Sequence, residues 1–361
     1  MTKQGRFKPH NPSSRLCPLS KSAQHNLHCV IQSSKDITVG RKPELEVVNT
    51  TKQVAELIDL LAIINSEWRY VPTVYIDLEG VNLSREGSIS IFTLLVDFGA
   101  PRTFVKLIDV FTLGHLAFDT TGHNNKTLKN ILEDAKIPKV FFDVRSDSDA
   151  LFAHYGIAMQ GVEDVQLFES ATRKTTESRR FLSGLNKCVT DNSAHLLDID
   201  RTSWILAKNE GERLFKAERG GSYEVFNRRP IPKAIMDYCA GDVQCLPGLY
   251  KKFRDGAARW QLLVKEASQK RVTDSQKSDY QPHGQHRALA PWSAEQNKLL
   301  DEWNYSAHAW TGGYFDNDFD FHDDLMDQEM DDDYDNDYWD IDDGHDDYED
   351  WTRAPWQGPP S

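Results

Sequence analysis

The sequence predicts an α/β fold built on a mixed central five-stranded sheet flanked by helices. Three observations predict it. Strand-forming runs TVYIDLEG (73–80), SISIFTLLVDFG (88–99) and TFVKLIDV (103–110) follow one another across short links. The turn chemistry of GAPR (99–102) joins the second and third as a hairpin. After them, strand and helix patterns alternate, as a sheet with helical crossovers requires.

Taken in order, NTTKQVAELIDLLAIINSEW (49–68) opens with Asn and Thr capping residues and repeats apolar residues at Val54, Leu57, Ile58, Leu61 and Ile64. That spacing predicts an amphipathic helix. A helix over about 125–136 leads into the short apolar strand KVFFDV (139–144). A helix from about Ser146 then precedes a fifth strand at GVEDVQL (161–167). From Phe168 to about Arg259 the pattern is mostly helical with loops. Residues 1–45 are polar, without sustained period, and are expected to be disordered. The folded domain is expected over 46–270, followed by a linker over 271–310 carrying one short helix at WSAEQNKLLDEW. An acidic, aromatic, disordered tail is expected over 311–361.

Charge is unevenly spread. Of 56 Asp and Glu, 19 fall within 315–350, where there is no Lys or Arg; the other 37 face 42 bases. The body is therefore mildly basic, which permits a polyanionic partner, and the tail is a candidate contact for that body or for a protein partner. Five scattered cysteines without a C-x-x-C pair fit reduced intracellular thiols rather than a zinc site or a disulfide scaffold. No leader-like run and no stretch of 18 apolar residues occur, so a soluble chain with no membrane partner is expected; nucleus or cytoplasm is not distinguished.

Asp77 and Glu79, two apart on a strand, leave it by one face, opposite Val74, Ile76 and Leu78. Tyr238 and Asp242, four apart in RRPIPKAIMDYCAGDVQCLPGLY (228–250), share a helix face with the stripe Ile235, Cys239, Val243 and Leu246. Between them, KVFFDVRSDSDALFAHYGI (139–157) offers three acids. Asp149 with Ser146 fits a capping box, Asp143 ends the strand, and Asp147 shares a helix line with Leu151 and Tyr155. The line favours Asp147, with the other two left open.

These three segments resemble, in order, the motifs of the DEDD 3′–5′ exonucleases, the group of ribonuclease D and the Werner-type exonuclease domain, in its fungal and Egalitarian-like branch. The D-x-E strand is the first motif, the strand and acid-bearing helix the second, and Y-x-x-x-D after an Arg-Pro turn the third. The resemblance covers about residues 46–255. It implies a ribonuclease H-like fold of the tyrosine-bearing subclass and 3′–5′ hydrolysis of nucleic acid, RNA more than DNA, from a single-stranded 3′ end. It implies two Mg²⁺ or Mn²⁺ ions, Asp77 bridging both, Glu79 and Asp242 completing one site, and Asp147 holding the other largely through water. Tyr238 would orient the attacking water. Four converging acids would otherwise repel by roughly 4 kcal/mol per close pair, which divalent cations relieve. Arg145, Arg228 and Arg229 are candidate phosphate contacts. Egalitarian-like relatives imply the alternative, a catalytically silent RNA-binding or adaptor module.

Overall fold

The computed structural model describes residues 44–67, 74–97, 103–192, 201–254 and 258–311. The N-terminal extension before residue 44 and the acidic tail lie outside the described residues. The described residues open with β1 (Glu44–Val48) and α1 (Thr51–Glu67), then β2 (Val74–Glu79), β3 (Ile91–Asp97) and β4 (Thr103–Ile108). Short helices α2 (Val110–Leu113), α3 (Leu116–Asp119) and α4 (Leu128–Glu133) lead to β5 (Lys139–Phe141), α5 (Arg145–Tyr155) and β6 (Val162–Asp164). The helices α6 (Val165–Thr172), α7 (Leu185–Asn192), α8 (Arg201–Phe215), α9 (Lys233–Gln244) and α10 (Leu246–Arg254) follow. Helices α11 (Ala258–Ser275) and α12 (Ala294–Thr311) complete the described chain.

The sheet has six strands in the order β1-β4-β3-β2-β5-β6, one more than the sequence predicts. β3 and β4 form the expected hairpin, β2 pairs antiparallel to β3, β1 pairs parallel to β4, and β5 and β6 continue parallel from β2. The added strand is ELEVV, too short to carry a period. It is held by β4 sixty residues later, with Glu46 beside Lys106 across the pair. Glu44 and Leu45, inside the stretch expected to be disordered, thus belong to a sheet strand.

A two-residue period divides β2 between two cores. Val74, Ile76 and Leu78 pack with α1, α3, α4 and α5, whereas Tyr75 joins the opposite core with α6, α8, α9 and α10. Asp77 and Glu79, on the Tyr75 face, therefore lie beneath α9, which packs on β2, β3 and β4.

The expected linker is a docked element. α11 continues to Ser275 and lies against β6, α5 and α6. Arg271 on it is buried and bonds Asp164 and Gln166, and Ser275 bonds Ser148 of α5. Beyond it, Arg287 bonds Ser146, and Leu182 and Ala290 exchange backbone bonds with Ala288 and Arg180. The segment is polar because it satisfies buried charges, and polarity is what made it resemble a linker. Among the described residues no helix is long and apolar enough to cross a membrane.

Candidate active site

The site starts at the C-terminal end of β2. Asp77 faces Thr93 and Glu79 faces Ile91 across the β2–β3 pair, and both acids are buried. The chain reverses directly after Glu79: a Cβ at Gly80 would lie 1.9 Å from the Ser88 carbonyl oxygen, so only glycine closes the D-x-E strand this tightly. Ser90 then donates its N–H to the Glu79 carbonyl.

Helix α9 delivers the other half. Its entry is tied down by Arg229, which donates to the Ser90 carbonyl and pairs with Asp109. Four residues apart, Tyr238 and Asp242 point from one helical face and are each 1% exposed. Asp77, Glu79 and Asp242 each bring a carboxylate oxygen to within 4.8 Å of the others'. At that separation two like charges repel by roughly 3 kcal/mol at an effective dielectric near 20.

An ammonium group sits in this cluster. Lys208 of α8 donates to both Asp242 oxygens, at 3.0 and 2.9 Å, and to the Tyr238 hydroxyl at 3.1 Å. It also lies 4.3 Å from the Tyr238 ring centroid. Burial works against its charge, but the neighbouring Asp242, reinforced by Glu79 and Asp77, outweighs burial and raises its pKa. Burial first, and then the same three acids, pushes the Tyr238 phenol well above its usual value, so it stays protonated at neutral pH. Sequence reasoning missed Lys208. The signal was there: Trp204, Lys208, Gly211 and Phe215 fall at 4-3-4 spacing, which places the lysine on the buried face of its helix.

The three second-motif acids part company. Asp143, with φ of 58°, is ringed by Arg145, Arg271 and Arg287, and despite its partial burial these hold its carboxyl well below the usual range. Asp149 accepts from the backbone and the guanidinium of Arg85, at 2.8 and 2.7 Å. It is therefore no capping partner of Ser146, because α5 already begins at Arg145. Asp147 is buried in the first turn of α5, and its oxygens lie outside the tight three-carboxylate group. Asp164 accepts N–H bonds from Asp143, Val144 and Gln166 and caps α6, a structural post.

Of the arginines read as phosphate contacts, Arg145 is spent on Asp143 and the Arg287 carbonyl, and Arg229 on Asp109 and Ser90. Both guanidinium groups are thus already paired with a carboxylate of the fold. Arg228 is exposed.

Can this cluster take a divalent cation? Its donors are all oxygen, which suits hard ions such as Mg²⁺ and Mn²⁺. Three carboxylates that converge with oxygens within 4.8 Å offer the donor set such an ion takes, with Lys208 beside Asp242. The residues fit.

The family model described as 3'-5' exonuclease (DNA_pol_A_exo1) matches residues 45–256, more than half of the chain. The chain is similar to the piRNA biogenesis protein EXD1 of Mus musculus, with 27% identity over 162 residues, 45% of this chain and 25% of that protein. Its Homo sapiens counterpart is 39% identical over 89 residues, 25% of this chain and 15% of that protein. The match thus spans a quarter or less of these relatives' length. Among solved structures, Trypanosoma brucei RNase D in complex with GMP aligns with a TM-score of 0.52 and 22% identity, covering 72% of each chain. The same enzyme in complex with RNA U12 aligns at 0.50 and 21%, covering 78% of this chain and 82% of that one. These structures establish a shared RNase D-like fold. The matched segment holds both the D-x-E strand and the Y-x-x-x-D helix, and the chain belongs to the DEDD-type 3′–5′ exonuclease family.

Proposed function

We propose that this protein is a metal-dependent 3′–5′ exonuclease that hydrolyses the terminal phosphodiester of a nucleic acid, RNA in preference to DNA. One observation carries the reading: Asp77, Glu79 and Asp242, from segments some 160 residues apart, bring carboxylate oxygens within 4.8 Å of one another in a buried site. Asp77, Glu79 and Asp242 would hold one Mg²⁺ or Mn²⁺, and Asp147 is the candidate residue for a second. When bound, the ions supply water activation and charge stabilisation at the phosphorus and at the leaving 3′ oxygen.

The chain's own groups do the rest. Tyr238, kept as a phenol by burial and the surrounding acids, holds the attacking water by a hydrogen bond rather than removing its proton. Water adds to phosphorus as the bond to the 3′ oxygen of the preceding nucleotide breaks; the water gives up one proton to solvent, and the leaving 3′ oxygen takes one up from solvent. The products are a nucleoside 5′-monophosphate and a chain one residue shorter with a free 3′ hydroxyl. Exposed Arg228, close to the Arg-Pro turn, is the arginine that remains for a phosphate contact. The RNA preference draws support from the RNA and GMP complexes of the similar T. brucei RNase D.

One observation favours a second reading. Lys208 occupies both oxygens of Asp242, as a site used for binding without hydrolysis would allow. Digestion of 5′-labelled single-stranded RNA and DNA with Mg²⁺ or Mn²⁺ separates the two. A ladder of shortened products from the wild type and none from Asp77→Ala is expected. Equal cleavage by both proteins rejects the site, and binding with no cleavage favours the adaptor.

A further inference from the structure

We propose that Lys208 is a built-in counter-ion of the carboxylate site, which competes with a divalent cation for Asp242 and so sets how readily the site loads. The inference rests on the metal-site reading above and gives that site a control the three-acid cluster lacks by itself.

The placement of Lys208 is built, not incidental. It is 5% exposed, so this is no surface lysine folded inward. Helix α8 holds it from both sides along one face. Trp204, one turn before it, donates its indole N–H to the Gly241 carbonyl of α9 at 3.0 Å. Gly211, nearly one turn after it, lies so close to α9 that a Cβ there would fall 2.5 Å from the Cβ of Tyr238. Any other residue at 211 would push the two helices apart and withdraw the ammonium from Asp242. Phe215 closes the same face, with its ring 5.2 Å from that of Tyr238.

The ammonium engages both carboxylate oxygens of Asp242 and the hydroxyl of Tyr238. A divalent ion drawing on Asp242 must share those oxygens with a positive charge about 3 Å away, or displace it. Lysine suits such an exchange. Its charge is compact and its four-carbon stem is flexible, whereas a guanidinium fork would clamp the carboxylate. The hydrogen bonds of the ammonium go to Asp242 and Tyr238, both on α9, and this centres the competition on that side of the site.

The test is calorimetric titration of the full chain with Mn²⁺ alone, comparing wild type, Lys208→Met and Lys208→Gln, with folding checked by circular dichroism. Gln removes the charge yet keeps a hydrogen-bond donor toward Asp242 and Tyr238, so it serves if Met does not fold. Both variants are expected to bind Mn²⁺ at least about tenfold more tightly than wild type, since each removes a competing charge. Equal or weaker binding in the folded variants overturns the proposal and makes Lys208 a positioning residue for Asp242; so does absence of Mn²⁺ binding in all three proteins. The nuclease reading fails separately. Tighter binding in a chain that cleaves no oligonucleotide keeps the competition and discards the nuclease. Cleavage with unchanged Mn²⁺ affinity does the reverse.

Discussion

Two buried clusters of acid and base lie in this domain, and they are built on opposite plans. Around Asp143 and Asp164, two carboxylates meet the guanidinium groups of Arg145, Arg271 and Arg287, so that anions are outnumbered. At the end of β2, three carboxylates meet one ammonium. Both clusters contain aspartates from family-like motifs, yet the first ties β5, β6, α5 and α11 together and the second gathers negative charge. Acids whose charge the fold itself neutralises are part of the scaffold. Acids gathered at close range around one lysine are the arrangement on which the proposed metal site rests.

The largest expected effect breaks the second cluster functionally and spares it structurally. Asp77→Asn should abolish cleavage, by about 10³-fold or more, while leaving the thermal midpoint unchanged or raised, because it removes a like charge from a repelling group. A variant that loses activity only because it unfolds would erase the distinction. Next in size is the converse. Asp164→Asn should cost about 3–5 kcal/mol in urea unfolding, since it leaves the buried Arg271 short of its anion and turns an amide toward the N–H groups of Asp143, Val144 and Gln166. A loss below 1 kcal/mol would mean that the arginine cluster is not what holds α11.

The smallest effect comes from Lys139, a fully buried lysine whose ammonium donates to the carbonyls of Ile131 and Asp134. Burial brings its pKa down from 10.5 to about 7, with only partial relief from Asp134. Between those values the unfolded chain binds the extra proton, so stability rises with pH, by at most about 1.4 kcal/mol per unit; below pH 7 both states are protonated and the slope vanishes. Comparing wild type with Lys139→Met from pH 6 to 9 should show this rise in the first protein only. Parallel profiles would mean that carbonyl dipoles replace hydration as well as a carboxylate does.

How much of this was legible in the chain follows from the range of each signal. The strand acids and the Tyr238–Asp242 pair were visible because periods of two and 3.6 are local, and they put each pair on one face before any partner is known. The three successive strands and the hairpin of the last two were visible for the same reason, from runs of strand formers and turn residues. β1 was not, because five residues carry no period and its partner strand lies sixty positions on. Nor could 271–290 be read as docked, since a polar segment declares its burial only through the charges it meets. The triple choice in the second motif shows the same limit. Asp143, Asp147 and Asp149 are alike in sequence, but arginines at 85, 145, 271 and 287 engage two of them.

The sequence by itself determined the family, the faces that carry acids and the order of the strands that present them, because those depend on spacing along one element. Tertiary structure alone decided which carboxylates share a site, which are neutralised by arginine, and that Lys208 stands among them. Charges act through space, and residues brought within a few ångströms by folding can be 160 apart along the chain.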